Sequence, residues 1–365
     1  MTQIKEIITH LETIAPPVYQ EHYDNAGLIV GDRNATFTKA LLCLDSTEEV
    51  IGEAIEKGCN LVIAHHPIVF KGLKKITGKN YIERTLLQAI KYDIAIFACH
   101  TNLDNVTNGV SAKICDQLGL KNCRTLVPKT GLLKKIFTYV PLSAADRVRK
   151  AMFTAGAGTI GDYDQCSFNT EGFGTFRGGE NTNPAVGEKG KMHKEAEVKI
   201  ETVFPAYLQK QVIREMNEAH PYEEVAYDVV SLDNEYGKVG AGMLGELYPG
   251  QKEIEFLTFL KESMQARCVR HTHLLDREVN KVAVCGGSGS FLLPDAIAAG
   301  ADVFVTADFK YHQFFDADGK IVIADIGHYE SEQFTINLFH EILTQKFPTF
   351  AFLFSETKTN PINYL

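Results

Sequence analysis

Apolar residues at Ile4, Ile7, Ile8, Leu11 and Ile14 recur at helical spacing, so the chain opens on an amphipathic helix over about residues 3–15, ended by Pro16 and Pro17. The pattern then changes. Continuous apolar runs at 40–44, 61–64 and 95–99, separated by amphipathic stretches at 48–57 and 81–91, read as buried parallel strands alternating with helices. The same rhythm returns near the end, with strands at 281–285, 303–306, 321–324 and 350–354 and helices at 253–264, 295–299 and about 331–347.

Between about residues 132 and 232 the rhythm is different. Strand 135–140, helix 144–155, strand material at 165–168 and 174–177, strand 197–203, helix 205–219 and strand 225–230 follow the order βα-ββ-αβ of a ferredoxin-like module. The fold class is therefore α/β: a parallel-rich α/β host over residues 1–130 and 240–365, split by an inserted α+β domain over 131–239. The Gly-rich tract 178–190 reads as a mobile loop, and 237–250 as the return linker.

Polar residues collect where the apolar runs stop. His65 and His66 end the 61–64 run, and Pro67 forbids continuation of the ladder. His100 and Asp104 follow the 95–99 run, Asp308 and His312 follow 303–306, and His328 and Glu332 follow 321–324. Ligands of open α/β sheets bind beyond the carboxyl ends of strands, so these groups are expected at the carboxyl edge of one parallel sheet. His328 and Glu332 stand four apart, so a helix would place them on one face. His65, His66, Asp104, His328 and Glu332 together offer imidazole nitrogens and bridging carboxylates suited to two divalent ions about 3.5–4 Å apart. Zn, Fe, Mn and Co all fit such ligands. The plainer alternatives are hydrogen-bonded buried histidines and a solvated helix start.

Asp308 and His312, also four apart and just after a strand, are candidates for proton transfer or for bracing a ligand, with exposed polar residues as the alternative. The run Gly286 to Ser290 lacks the dinucleotide fingerprint and the phosphate-loop lysine, and a tight turn explains it. His220-Pro221-Tyr222-Glu223-Glu224 in the insert reads as a structural turn or an interface.

Composition narrows the function classes. A length of 365 residues allows two domains with their own cores, and the net charge of −9 gives no strong nucleic-acid signal. No apolar run approaches a membrane span, and the first residues lack the pattern of a signal peptide. The eight cysteines include no C-x-x-C pair and read as buried thiols of a reducing, cytoplasmic protein. A small-molecule or nucleotide substrate is the expected partner.

The segments Asp24-Asn25-Ala26-Gly27-Leu28, Ala64-His65-His66-Pro67, His100-Thr101-Asn102-Leu103-Asp104, Thr306 to His312 and Gly327 to Glu332 resemble the motifs of the NIF-three-like family. Its members carry the name GTP cyclohydrolase 1 type 2 homologs. The chain departs from the family pattern at Ala307, where glycine is frequent. Gly174-Thr175-Phe176-Arg177 and Ala219-His220-Pro221-Tyr222-Glu223-Glu224 resemble the PII/CutA-like insert of longer bacterial members. The resemblance implies a two-metal site on His65, His66, Asp104, His328 and Glu332, bridged by Glu332 or Asp104. Asn25 and His100 are candidates to meet substrate or support the ligands. It also implies a toroidal homohexamer of trimers. The activity implied is opening of the guanine imidazole ring of GTP by metal-activated water. A metal-dependent nucleotide phosphoesterase and a non-enzymatic metal-binding scaffold or regulator are the alternatives.

Overall fold

The computed structural model describes residues 1–365, which form two compact units: Met1–Pro128 with Lys238–Leu365, and Lys129–Gly237. Along the chain the strands are β1 (Gly27–Val30), β2 (Lys39–Asp45), β3 (Leu61–His66), β4 (Ala95–Ala98), β5 (Lys121–Lys129), β6 (Leu133–Pro141), β7 (Phe168–Arg177), β8 (Met192–Pro205) and β9 (Tyr227–Leu232). They continue as β10 (Tyr236–Lys252), β11 (Arg270–His271), β12 (Glu278–Ser288), β13 (Val303–Ala307), β14 (Val322–Asp325) and β15 (Ala351–Phe354).

The larger unit is a mixed α/β fold with two sheets, ordered β1-β4-β3-β2-β15 and β11-β14-β13-β12-β10-β5. The expectation of one parallel sheet is thus corrected. Apolar runs specify which segments are buried, and the pairing partners are left open by that pattern. Parallel pairing joins β15, β2, β3 and β4 in the first sheet and β12, β13 and β14 in the second.

Leu61, Val62, Ile63 and Ala64 are fully buried because helices cover both faces of the first sheet. Ile4, Ile7, Ile8 and Leu11 pack on one face with Phe339 and Leu343 of the helix Thr335–Lys346. Val50, Ile51 and Ala54 of the helix Glu48–Lys57 and Ala89 of the helix Tyr81–Lys91 pack on the other. Each large aliphatic side chain so buried contributes roughly 1.5–3 kcal/mol.

Two further corrections concern residues 121–129 and 237–250. The first stretch forms β5, which the sequence reading left unassigned. The second is most of the strand β10, whose glycines mark close approach of backbones. A Cβ at Gly240 would lie 2.1 Å from the Val127 carbonyl oxygen, and one at Gly245 would lie 2.9 Å from Cys123 Sγ. The expected last helix is two pieces, His328–Glu332 and Thr335–Lys346. Cys268 is exposed, unlike the buried thiols expected, and all cysteines are free.

The smaller unit runs β6, helix Ala145–Thr154, β7, β8, helix Gln209–Ala219, β9, with antiparallel sheet order β7-β8-β6-β9. This is the split βαβ arrangement. No helix of the chain is long and apolar enough to cross a membrane.

Candidate metal centre

β3 carries His65 and His66 to its carboxyl end, and its parallel register with β2 sets Asp45 beside His66. Adjacent strand residues ordinarily diverge, yet the two rings lie 4.8 Å apart, tilted by 50°. His65 is fully buried, and its Nδ1 lies 2.9 Å from the Cys99 carbonyl oxygen. A carbonyl accepts only, so Nδ1 carries the proton and Nε2 presents a lone pair. His66 Nδ1 is 2.7 Å from Asp45 Oδ1, and Asp45 Oδ2 accepts from the Thr359 hydroxyl at 2.7 Å.

From the second sheet, β14 leads through Gly327 into the short helix His328–Glu332. One turn of helix places His328 and Glu332 together, with His328 Nε2 3.1 Å from Glu332 Oε2. His328 Nδ1 is 2.7 Å from Asp308 Oδ2, which also accepts from the Ser288 hydroxyl. All three histidines therefore have the second nitrogen held by a carbonyl or carboxylate, the arrangement that orients imidazole ligands.

Glu332, 3% exposed, divides its two oxygens between two groups. Oε2 lies 2.9 Å from His66 Nε2, and the nitrogens of His66 and His328 are 3.3 Å apart. Oε1 lies 3.7 Å from His65 Nε2, which is 3.6 Å from Asp104 Oδ1. One group is His66, His328 and Glu332, and the other is His65, Asp104 and Glu332.

His65 Nε2 and Asp104 Oδ1 are buried and have no hydrogen-bond partner. Leaving such atoms unsatisfied costs about 1–3 kcal/mol each, and more for a charged group. An imidazole lone pair and a carboxylate oxygen facing one point have no proton to share in their ligating forms. A cation between them satisfies both, so these residues fit a divalent ion.

Electrostatics agree. Burial would lower the His66 pKa, but Asp45 and Glu332 raise it to about 9. Burial acts likewise on His328, and Asp308 and Glu332 raise it to about 11. Burial would raise Glu332, whereas the imidazoles of His65, His328 and His66 hold it well below the usual carboxylate range. Asp104 goes the other way, pushed up by burial and by the Glu332 carboxylate. The carboxylates that favour positive charge on these rings favour a divalent cation there too, and binding one releases the ring protons.

His100 has its ring against His65 and His66, at 5.3 and 5.4 Å, and forms a third ligand-type group with them. Its Nδ1 is held at 2.8 Å by Asp24, whose side chain is fully buried. Burial would raise Asp24, but the bonds from His100 and Thr101 bring it to about 2. Asn25 is exposed and donates to the Val69 carbonyl at 2.6 Å, which ties two loops together. Asp308 braces His328, as above. His312 is not joined to the cluster and sits exposed, edge-on to Tyr311. The spacing argument fails because Asp308 takes a left-handed backbone (φ +60°) and the 3-10 helix starts only at Tyr311.

Sequence reasoning missed Asp24, Asp45 and Gly287. Asp45 ends a strand at the same edge as His66, a signal that was available. Gly287 has φ +62°, and a Cβ there would lie 2.3 Å from Glu332 Oε1, so glycine makes room for the shared carboxylate.

A family model described as Duf34/NIF3 (NGG1p interacting factor 3) matches residues 2–361. A Bacillus subtilis (strain 168) protein named GTP cyclohydrolase 1 type 2 homolog is 38% identical over 99% of this chain and 98% of its own length. A protein of the same name from Halalkalibacterium halodurans is 40% identical over 88% of this chain and 87% of its own. Among solved structures, a Bacillus cereus protein related to NIF3 superposes with a TM-score of 0.87 at 38% identity, covering 100% of this chain and 99% of the other.

Proposed function

Because the chain belongs to the Duf34/NIF3 family, we propose that it is a cytoplasmic, dinuclear divalent-metal hydrolase that opens the imidazole ring of GTP or a related nucleotide. One observation carries the reading: Glu332 belongs to both ligand groups and turns one oxygen toward each. His65 with Asp104 and His66 with His328 complete the two ends. When bound, a pair of divalent ions lowers the pKa of water and polarises the bond under attack.

The chain's own residues do the rest. Asp45, Asp308 and the Cys99 carbonyl fix the three ligand rings. His100, held by the ionised Asp24, is the group beside the cluster able to carry a proton between attacking water and leaving nitrogen. Water adds at C8, a ring C–N bond breaks with proton transfer to nitrogen, and a second hydrolysis releases formate. The reading extends to a PII/CutA-like insert and to a toroidal homohexamer of trimers, as the motif resemblance implies.

The test is elemental analysis of protein purified without added metal, beside Glu332→Ala. About two ions per chain, lost in the variant, support the dinuclear site. Incubation of the loaded protein with GTP then decides the chemistry. Formate release supports ring opening. Phosphate release favours a phosphoesterase, which the same two-ion clamp serves. Intact metal with no turnover across a nucleotide panel favours a scaffold.

A further inference from the structure

The inserted unit has a cavity of its own, about 730 Å³, on the β7–β8 side of its sheet. The hairpin register pairs Gly172 with Glu197, Gly174 with Glu195 and Phe176 with His193. Two glycines on β7 leave a hollow on the face that β8 shares. Glu197 reaches into it: a Cβ at Gly174 would lie 2.1 Å from Glu197 Oε2.

Glu197 is only 8% exposed. Its Oε1 accepts from the Tyr222 hydroxyl at 2.8 Å, while Oε2 receives no hydrogen bond and faces the hollow. Tyr222 is itself held in place. Its backbone N–H donates to His220 Nδ1 at 3.1 Å, and His220 Nε2–H donates to the Tyr139 carbonyl at 3.0 Å. Those bonds fix one neutral tautomer of a buried histidine, so the stretch His220 to Glu224 serves to aim a tyrosine at a carboxylate. Tyr139, Phe173, Phe176 and Tyr222 supply aromatic wall, with the Phe176 and Tyr222 rings 6.0 Å apart and tilted by 58°.

The charge balance selects the ligand. Glu171, Glu197, Glu223 and Glu224 line the cavity against Arg177 and Lys199, and Lys199 is already paired with Glu201 at 2.9 Å. That balance disfavours a phosphate. A mostly buried carboxylate with one free oxygen, framed by tilted rings, is the chemistry that recognises an organic cation. We propose that the hollow between Gly174, Glu197 and Tyr222 is a binding site for a small molecule bearing a protonated amine or guanidinium. The site is separate from the metal centre and does not rest on its assignment.

The test titrates the full chain with phenethylamine and agmatine, and with phenethyl alcohol as the neutral counterpart, by calorimetry and by amide chemical-shift mapping. The amines are expected to bind saturably, with shifts at residues 172–176, 197 and 222, and phenethyl alcohol to bind at least about tenfold more weakly than phenethylamine. Glu197→Gln is expected to lose the amines by a similar factor while its circular dichroism and metal content stay at wild-type levels. Gly174→Ala, which keeps the charge but displaces the carboxylate, is expected to weaken them too, and decides the matter if Glu197→Gln does not fold. Equal binding of amine and alcohol, unchanged amine binding in the variants, a site that takes GTP in preference to amines, or no saturable binding by either amine would each overturn the proposal.

Discussion

Asp45 touches no shared point of the cluster, yet it determines what His66 offers there. By holding Nδ1 it turns Nε2 into the cluster, 2.9 Å from Glu332 Oε2, and Thr359 holds Asp45 in turn. Asp45→Asn keeps the shape but weakens this support, so metal affinity is expected to fall about 10- to 100-fold, read by competition with a chromogenic chelator. Unchanged affinity would mean that β2 merely borders the site. Gly287 acts by absence of a side chain. Gly287→Ala puts a methyl group 2.3 Å from Glu332 Oε1 and forces a left-handed backbone on alanine. The expected outcome is loss of metal from both groups, since both use Glu332, with the far-ultraviolet circular dichroism retained. Retention of two ions would contradict the shared-carboxylate geometry.

At the level of elements, the segment after β15 is tied to the helix Glu48–Lys57 through Glu53. Its carboxylate accepts from Lys57, Ser355, Glu356 N–H and Thr357, at distances of 2.7–3.2 Å, and the same segment carries Thr359 to Asp45. Burial would raise the Glu53 pKa, but these donors lower it from 4.5 to about 2. A folded pKa below the unfolded one gives stability that is complete above about pH 4.5 and lost as pH falls through about 2. The side chain is 10% exposed, and a discount for solvent screening leaves on the order of 1–2 kcal/mol. The difference in melting temperature between the wild type and Glu53→Gln is therefore expected to be constant near neutrality and to shrink between pH 4.5 and 2. A difference independent of pH would remove the ionised carboxylate from the account.

The same scale separates what was legible in the sequence from what was not. β3 was visible because Leu61 to Ala64 is continuously apolar, and the histidines stood out because a buried strand seldom ends in two of them. β5 was not, since most of its residues are exposed or half-buried and leave no apolar run. β10 hid behind its glycines. Asp24 was illegible as a bracing group because a lone aspartate in a turn-like segment has no spacing to distinguish it, and Asp45 showed only its place at a strand end. Their roles arise only when parallel register and loop closure bring them to a ring nitrogen. His312 shows the converse error, a spacing that implied a helix where the backbone turns left-handed first.

For the whole molecule, the two sheets of the larger unit are each built from both ends of the chain. β15 joins strands of the first hundred residues, and β5 joins strands that follow residue 236. The metal centre draws on the same division, with His65 and His66 at the end of β3 and Asp104 just beyond β4 of one sheet, and His328 and Glu332 from beyond β14 of the other. A centre of this kind requires the larger unit to close on itself across the insertion point. The strands that flank that point make closure local. β5 and β10 are neighbours, and the contacts of Gly240 with Val127 and of Gly245 with Cys123 run in antiparallel register. Residues 129–237 thus occupy the place of a hairpin loop. Adjacent strands lie about 4.8 Å apart, a gap that a turn of about 2–5 residues spans. Replacing residues 130–236 by a short Asn-Gly turn is expected to give a chain that melts cooperatively and takes up as many metal ions as the full protein. If that chain folds but binds no metal, closure of the hairpin does not suffice to bring the two ligand groups together, and the inserted unit has a part in assembling the centre.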